Sequence, residues 1–186
     1  MISITFIRHA ESEYNKMGLL SGRIDCNLTE KGIEDAKLLR GTLKNDFDII
    51  YCSPLKRTKQ TLNAIFPESE PIYDERIIES SFGIYEGKPK GALGKEKMEL
   101  YKQGLYLAPG AESIKEIDER VCAFVEELFQ KCQDHEKILV VTHNGILNSI
   151  KRNFIKDCDN MYSNNLGMVQ LTEDNYEYYR EKINKK

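Results

Sequence analysis

The sequence predicts an α/β fold, a three-layer α/β/α sandwich with a mostly parallel central sheet. Three observations predict it. Short β-type runs alternate with helical patterns along the chain. Ile138-Leu139-Val140-Val141-Thr142 is almost wholly apolar, as a strand buried on both faces must be. Several strand-like runs lead directly into a helix start signal, which parallel pairing requires. At 186 residues, with no internal repeat, low-complexity block or linker, residues 1–186 are expected to form one domain.

The elements follow in order. Ser3 to Ile7 is β-rich. Leu28 to Leu43 reads as a helix with Thr29 as N-cap, Leu28 and Ile33 as a hydrophobic staple, and Ile33, Ala36, Leu39 and Leu43 on one face. Asp48 to Cys52 is a second strand. Ser53-Pro54 is expected to start a helix, with Ser53 as N-cap and Pro54 in the first position; Leu55, Thr58, Leu62 and Ile65 share its inner side. Ile72-Tyr73 is a short strand. Ser113 opens the longest helix, Glu116 completes its capping box, and Ile114, Ile117, Val121, Val125 and Leu128 form its apolar stripe. Gly145 to Phe154 is the next helix. Met168–Leu171 and Tyr176–Tyr179, separated by Thr-Glu-Asp-Asn, read as a closing hairpin in which the Tyr cluster covers an edge or core.

Composition excludes several classes. The charged share is 31% and the formal net charge −3, so no basic field is available to recruit nucleic acid. No apolar run approaches the roughly 18 residues of a membrane span, and the N-terminal segment lacks a signal-peptide pattern. A cytoplasmic protein without membrane partners is expected, as a monomer or homodimer. Cys26, Cys52, Cys122, Cys132 and Cys158 are odd in number and include no CxxC pair, which argues for reduced thiols rather than disulfides or a zinc site.

Two of the three histidines occupy matching places. His9 follows the strand ending in Arg8, and His143 follows Val140-Val141-Thr142; His135 lies in a polar connection and is expected to be exposed. In α/β sheets ligands gather beyond the carboxyl ends of the strands. Arg57 falls in the first turns of a helix, where free N–H groups and the dipole favour an anion and a guanidinium adds a fork for phosphate oxygens. Arg8, Arg57, His9 and His143 together point to an oxyanion pocket without a metal. Histidine can serve as nucleophile if neutral, and two nearby guanidinium groups disfavour imidazolium. A leaving alkoxide needs a proton donor, and among many carboxylates the residue pattern alone does not select Glu79.

The chain resembles the histidine phosphatase superfamily, in its phosphoglycerate mutase-like branch. Arg8-His9-Ala10-Glu11 is similar to the family's Arg-His-Gly-Glu signature, followed by Asn15. Ser21-Gly22-Arg23-Ile24-Asp25 with Leu28-Thr29-Gly32, then Cys52-Ser53-Pro54-Leu55-Arg57-Thr58-Thr61, resemble the next two blocks. Glu79-Phe82-Gly83-Tyr85-Glu86-Gly87, Pro109-Gly110-Glu112-Ser113 and Val141-Thr142-His143-Asn144-Gly145 follow in family order. The resemblance implies His9 as the phosphohistidine site and Glu79 as proton donor and then base. It implies that Arg8, Arg57 and His143 hold phosphate oxygens, assisted by Asn15 and the Asn144 backbone N–H, and that Ser21 and Gly22 contact substrate. Ala10, Asn144, Tyr85 and Ala111 depart from the commonest family residues, which bears on substrate fit rather than on proton or phosphoryl transfer.

The expected function is a metal-independent and cofactor-free phosphatase acting on a small phosphorylated metabolite. A bisphosphoglycerate-dependent mutase is the second reading; such mutases carry longer insertions than Lys88 to Ala108 leaves room for. A non-catalytic phosphate-binding or scaffold domain is the third, opposed by the intact His9, Glu79 and His143. The basic, glycine-containing stretch Lys88 to Lys97 reads either as a lid over an anionic substrate or as a solvated loop and helix start.

Overall fold

The structure is a computed structural model and describes residues 1–102, 108–133, 135–158 and 163–185. Five strands form one sheet: β1 (Ser3–Arg8), β2 (Ile49–Cys52), β3 (Ile72–Tyr73), β4 (Lys137–Thr142) and β5 (Met168–Thr172). Their order is β3-β2-β4-β1-β5, parallel throughout except for β5, which runs antiparallel to β1. The helices are α1 (Glu13–Lys16), α2 (Glu30–Arg40), α3 (Lys56–Ile65), α4 (Gly94–Lys102), α5 (Ile114–Lys131), α6 (Asn144–Phe154) and α7 (Glu173–Asn184).

Side chains alternate along β1 and β4, so each strand feeds two cores. Ile4, Phe6, Ile138 and Val140 pack with Val121, Phe124 and Val125 of α5, Ile146, Leu147 and Ile150 of α6, and Tyr179 of α7. Ile7, Leu139 and Val141 pack on the other face with Ala36 of α2 and Leu62 and Ile65 of α3. This is the predicted three-layer arrangement. Full burial of each such aliphatic or aromatic side chain stabilises by about 1.5–3 kcal/mol, so the central strands carry much of the burial that holds the described fold together.

Most element starts follow local chemistry. The Thr29 hydroxyl accepts from Gly32 N to cap α2, and Ser113 and Glu116 form the expected reciprocal box at α5. Two expectations need correction. The helix after β2 does not start on Ser53-Pro54; α3 begins at Lys56 with Leu55 as its N-cap residue. The Ser53 hydroxyl is engaged by His143, and the Lys56 N–H instead finds the carboxylate of Asp25 at 2.6 Å. The closing hairpin is also absent. Only Met168–Thr172 is a strand, and Tyr176 to Tyr179 lie in α7. Thr172 and Asn175 form a capping box that starts a helix. The i,i+3 spacing then puts Tyr176 against Phe129 and Tyr179 against Phe154, with centroid separations of 4.5 Å in both cases.

The stretch Lys88 to Lys97 forms a loop, a short 3₁₀ turn over Lys90–Leu93 and the start of α4. It is tied to the segment before it: Leu20 N donates to Lys88 O, and Lys90 N to Gly18 O. Leu93 is buried with Leu20, Tyr85 and Ala111 in a small third cluster. Residues 103–107 of the longer span Lys88 to Ala108 lie outside the described residues.

Candidate active site

Parallel pairing fixes the centre of the site. In register, Arg8 of β1 faces Thr142 of β4, and Cys52 of β2 faces Val141. The next residue on each of these three neighbouring strands is therefore delivered to one edge: Ser53, His143 and His9, in that order across the sheet. His9 N donates to Thr142 O and Ser53 N to Val141 O, so the ladder continues one step beyond the strands. The two imidazoles meet edge to face with centroids 5.2 Å apart. His135, by contrast, is exposed, as expected.

His9 is 3% exposed, and its Nδ1 lies 2.7 Å from the Ala10 carbonyl. A carbonyl accepts only, so Nδ1 carries the proton and Nε2 the lone pair. The Arg57 Nε–H points at that lone pair from 3.3 Å. Burial, then the positive charges of Arg57 and Arg8, hold the His9 imidazolium well below the usual histidine range. Burial and the same two guanidinium groups act likewise on His143, with further contributions from His9 and Arg120. Its Nε2 is 2.7 Å from Ser53 Oγ, and its Nδ1 is buried without a hydrogen-bond partner among the described residues.

Arg57, in the first turn of α3, is the largest fully buried side chain among the described residues, at 1% exposure. Burying an unpaired guanidinium costs several kcal/mol. Here Nη1 donates to Ile24 O and Nη2 to Gly22 O, each at 2.8 Å. Burial pushes Arg57 down and the neighbouring Glu79 carboxylate pushes it back up; a guanidinium at such values remains charged. Gly22, with φ of +50°, supplies one of these carbonyls from a left-handed conformation in a crowded turn. Arg8 donates to the Ser163 carbonyl at 2.5 Å.

Glu79 sits on the loop after the 3₁₀ turn Glu75–Ile77, which Thr142 anchors by donating its hydroxyl to Ile77 O. The Glu79 carboxylate is buried against the start of α6. Its Oε1 accepts from Ser80 N at 2.9 Å and Gly145 N at 3.1 Å, and Oε2 has only a 3.5 Å contact with the latter. The structure thus brings Arg8, His9, Arg57, Glu79 and His143 together. Asn15 stands at the rim, where its Oδ1 accepts from Asn165. Asn144 opens α6, and its Oδ1 accepts from Ser163 N. Ser21 is half-buried beside Gly22, with no side-chain hydrogen bond among the described residues. The residues that depart from the commonest family pattern take structural places: Ala10 is buried and donates its N–H to Thr61 Oγ1, and Tyr85 packs under Lys88 and Lys97.

Residues not singled out in the sequence also belong here. Asn165 Nδ2 donates to both His9 O and Asn15 Oδ1, each at 3.0 Å. Leu166 N donates to Arg8 O, so the segment before β5 clamps the end of β1. Arg23 reaches back to Glu79 O at 3.4 Å and pairs with Glu112, which Arg120 also holds. Nothing local in the sequence marks Asn165; only the β1–β5 pairing brings it across 156 positions. No group of three or more His, Cys, Asp or Glu side chains among the described residues is placed to hold a metal ion. The five cysteines, all among the described residues, form no disulfide, and burial pushes Cys52 up to about 12 and Cys122 up to about 11, away from thiolate chemistry. No described helix is long and apolar enough to cross a membrane.

Residues 4–185 match the family model of the histidine phosphatase superfamily, branch 1. The chain is 36% identical over 155 residues to phosphoserine phosphatase 1 of Hydrogenobacter thermophilus, covering 77% of this chain and 71% of that one. It is 31% identical over 161 residues to a phosphoglycerate mutase of Schizosaccharomyces pombe, covering 79% and 76%. The crystal structure of an Entamoeba histolytica phosphoserine phosphatase in complex with 3-phosphoglyceric acid superposes with a TM-score of 0.81 at 26% identity, covering 92% and 91%. With the strand-end histidines, the buried arginines and a match over nearly its whole length, this chain belongs to the histidine phosphatase superfamily.

Proposed function

We propose that the chain hydrolyses small phosphate monoesters, without a metal, through a phosphohistidine on His9. The observation that carries this reading is the seat of the His9 ring: it is buried with Nδ1 2.7 Å from Ala10 O, which keeps the proton there and the lone pair on Nε2 next to Arg57, while burial and two guanidinium groups disfavour the imidazolium. That is the form an attacking imidazole needs.

The steps balance as follows. His9 Nε2 attacks phosphorus, the N–P bond forms, and the bond to the ester oxygen breaks in line. Arg8, Arg57 and His143, with Asn15 and the N–H groups that open α6, neutralise the phosphoryl oxygens. Glu79, whose Oε2 keeps only a 3.5 Å contact with Gly145 N, gives its proton to the departing alkoxide. Glu79 then takes a proton from water as water attacks phosphorus, the N–P bond breaks, and inorganic phosphate leaves.

The substrate class we favour is a phosphomonoester that also carries a carboxylate. Phosphoserine and phosphoglycerate, for which similar proteins are named, are of this kind. Arg23 supports it here. Its guanidinium is about half exposed beside Glu79, and Nη1 makes no hydrogen bond among the described residues. Ser21 and Gly22 line the same turn. Rates on phosphoserine, 3-phosphoglycerate, phosphoethanolamine and an aryl phosphate, with and without bisphosphoglycerate, test the reading. Phosphate release preferring the carboxylated esters is expected. Isomerisation of phosphoglycerate that requires bisphosphoglycerate and exceeds hydrolysis would replace it with the mutase reading.

A further inference from the structure

Ser53 has no part in the steps above, yet it is fully buried and its hydroxyl lies 2.7 Å from His143 Nε2. We propose that Ser53 is a positioning residue that fixes the ring tautomer of His143, so that Nδ1 presents a proton to bound phosphate. The inference rests on the phosphate pocket proposed above, and deepens it.

A neutral imidazole has one N–H and one lone pair, and its partner decides which nitrogen carries which. Burial and the surrounding positive charge keep His143 neutral, so the choice of tautomer is real. Two arrangements are possible. In one, Ser53 donates to Nε2 and the proton sits on Nδ1. In the other, Nε2–H donates to Ser53, and the serine proton must go elsewhere. Ser53 Oγ has no other hydrogen-bond partner among the described residues, so the second arrangement strands a hydroxyl proton in a closed site. It would also turn a lone pair, rather than a donor, toward an anion whose oxygens only accept. In the first arrangement the one hydrogen bond uses both the Ser53 hydroxyl proton and the Nε2 lone pair, and the Nδ1–H, buried without a partner among the described residues, is the ring donor left for a phosphate oxygen.

His9 shows the complementary case. The Ala10 carbonyl holds the proton on Nδ1 and leaves the lone pair on Nε2. The two histidines thus share one tautomer but present opposite valences: His9 a lone pair for phosphorus, His143 an N–H for oxygen. A carbonyl sets the first and a hydroxyl the second. The sheet order explains why Ser53 is available, since β2 and β1 flank β4 and deliver Ser53 and His9 on either side of His143.

The test is long-range ¹H–¹⁵N correlation NMR of the imidazole rings in the full chain without substrate. There are three histidines, which single His→Gln variants assign. In the unsubstituted protein, His143 should show a protonated Nδ1 and an unprotonated Nε2. In Ser53→Ala the ring should shift toward the other tautomer. The dissociation constant for inorganic phosphate should rise by about 10-fold to 100-fold, as for losing one hydrogen bond to a charged group. An Nε2–H tautomer in the unsubstituted protein would overturn the proposal whether or not the variant folds. So would a Ser53→Ala protein with unchanged tautomer and phosphate affinity. If tautomer and affinity behave as stated but no phospho-His9 forms on turnover, the catalytic reading fails and the role of Ser53 stands.

Discussion

Gly145 offers a way to move the proposed acid without touching it. It is the second residue of α6, and its N–H donates to Glu79 Oε1 at 3.1 Å. A Cβ built there would lie 2.3 Å from Glu79 Oε1 and 2.9 Å from Ser80 Oγ. In Gly145→Ala the carboxylate must therefore retreat by about 1 Å to reach ordinary contact. The obstacle is the far end of a flexible side chain, so the fold can accommodate it. Loss of a buried carboxylate hydrogen bond costs about 1–3 kcal/mol, and alanine in a helix recovers up to about 1 kcal/mol. The net destabilisation should stay below about 2 kcal/mol, a Tm shift of less than about 8 °C for a chain of this size. Activity should suffer far more, because a displacement of about 1 Å can cost about 10²-fold. The assay is single-turnover kcat/KM on an alkyl and an aryl phosphate, alongside thermal melting. A loss of about 10²-fold on the alkyl ester that shrinks on the aryl ester, in a folded protein, is expected. Unchanged rates on the alkyl ester, or equal losses on both, would refute the placement of Glu79 as leaving-group acid.

Other outcomes follow from the same geometry. Asn165→Ala should lower kcat/KM by about tenfold by releasing His9 O and Asn15, one neutral hydrogen-bonded anchor being worth about 1–1.5 kcal/mol; Asn165→Asp, which places an acceptor against two acceptors, should be worse, and the reverse order would discount the clamp. His9 and His143 are held neutral in the fold, while in the unfolded chain they protonate below about pH 6.5. The unfolded state then binds more protons, so stability is full above about pH 6.5 and falls below it, by up to about 2.7 kcal/mol per pH unit for the two rings, until the depressed folded values are reached. Urea titrations across pH should show this slope roughly halved in His9→Gln, and an unchanged slope would count against a buried neutral His9. Iodoacetamide at neutral pH should leave Cys52 and Cys122 largely unmodified, since burial pushes both thiols up; their rapid alkylation, read by peptide mapping, would count against the packing around them. Exhaustive chelation should leave turnover intact, and its loss with recovery on adding a divalent ion would contradict the metal-free pocket.

The fold was legible wherever local chemistry decides. The capping residues Thr29 and Ser113 and the apolar run at 138–142 mark elements that form where the pattern puts them. The two failures have different causes, tertiary competition for a polar group in one and an overlooked helix cap with aromatic packing in the other. Ser53-Pro54 looks like a helix start, but the serine hydroxyl serves His143, and Asp25, from 31 positions away, meets the first helical N–H. Tyr176 to Tyr179 carries a strand-like composition, yet the Thr172 box and stacking on α5 and α6 make it helical. In the site, strand-end placement made His9 and His143 visible, and the guanidinium groups followed from them. Glu79 was one carboxylate among many until the family motifs singled it out, and its position against Gly145 appears only in three dimensions. Asn165 carried no sequence signal, because its role depends on the antiparallel return of β5 beside β1.

In the proposed reaction, phosphorus passes through His9. Rapid quench of a single turnover with a ³²P-labelled phosphomonoester tests it most directly, with the labelled residue located by peptide mapping. An acid-labile adduct on His9 is expected that forms and decays at rates consistent with turnover, accumulates when Glu79→Gln slows its hydrolysis, and is absent from His9→Ala along with activity. A kinetically competent adduct on Ser53 or a cysteine, or full turnover by His9→Ala, would contradict it.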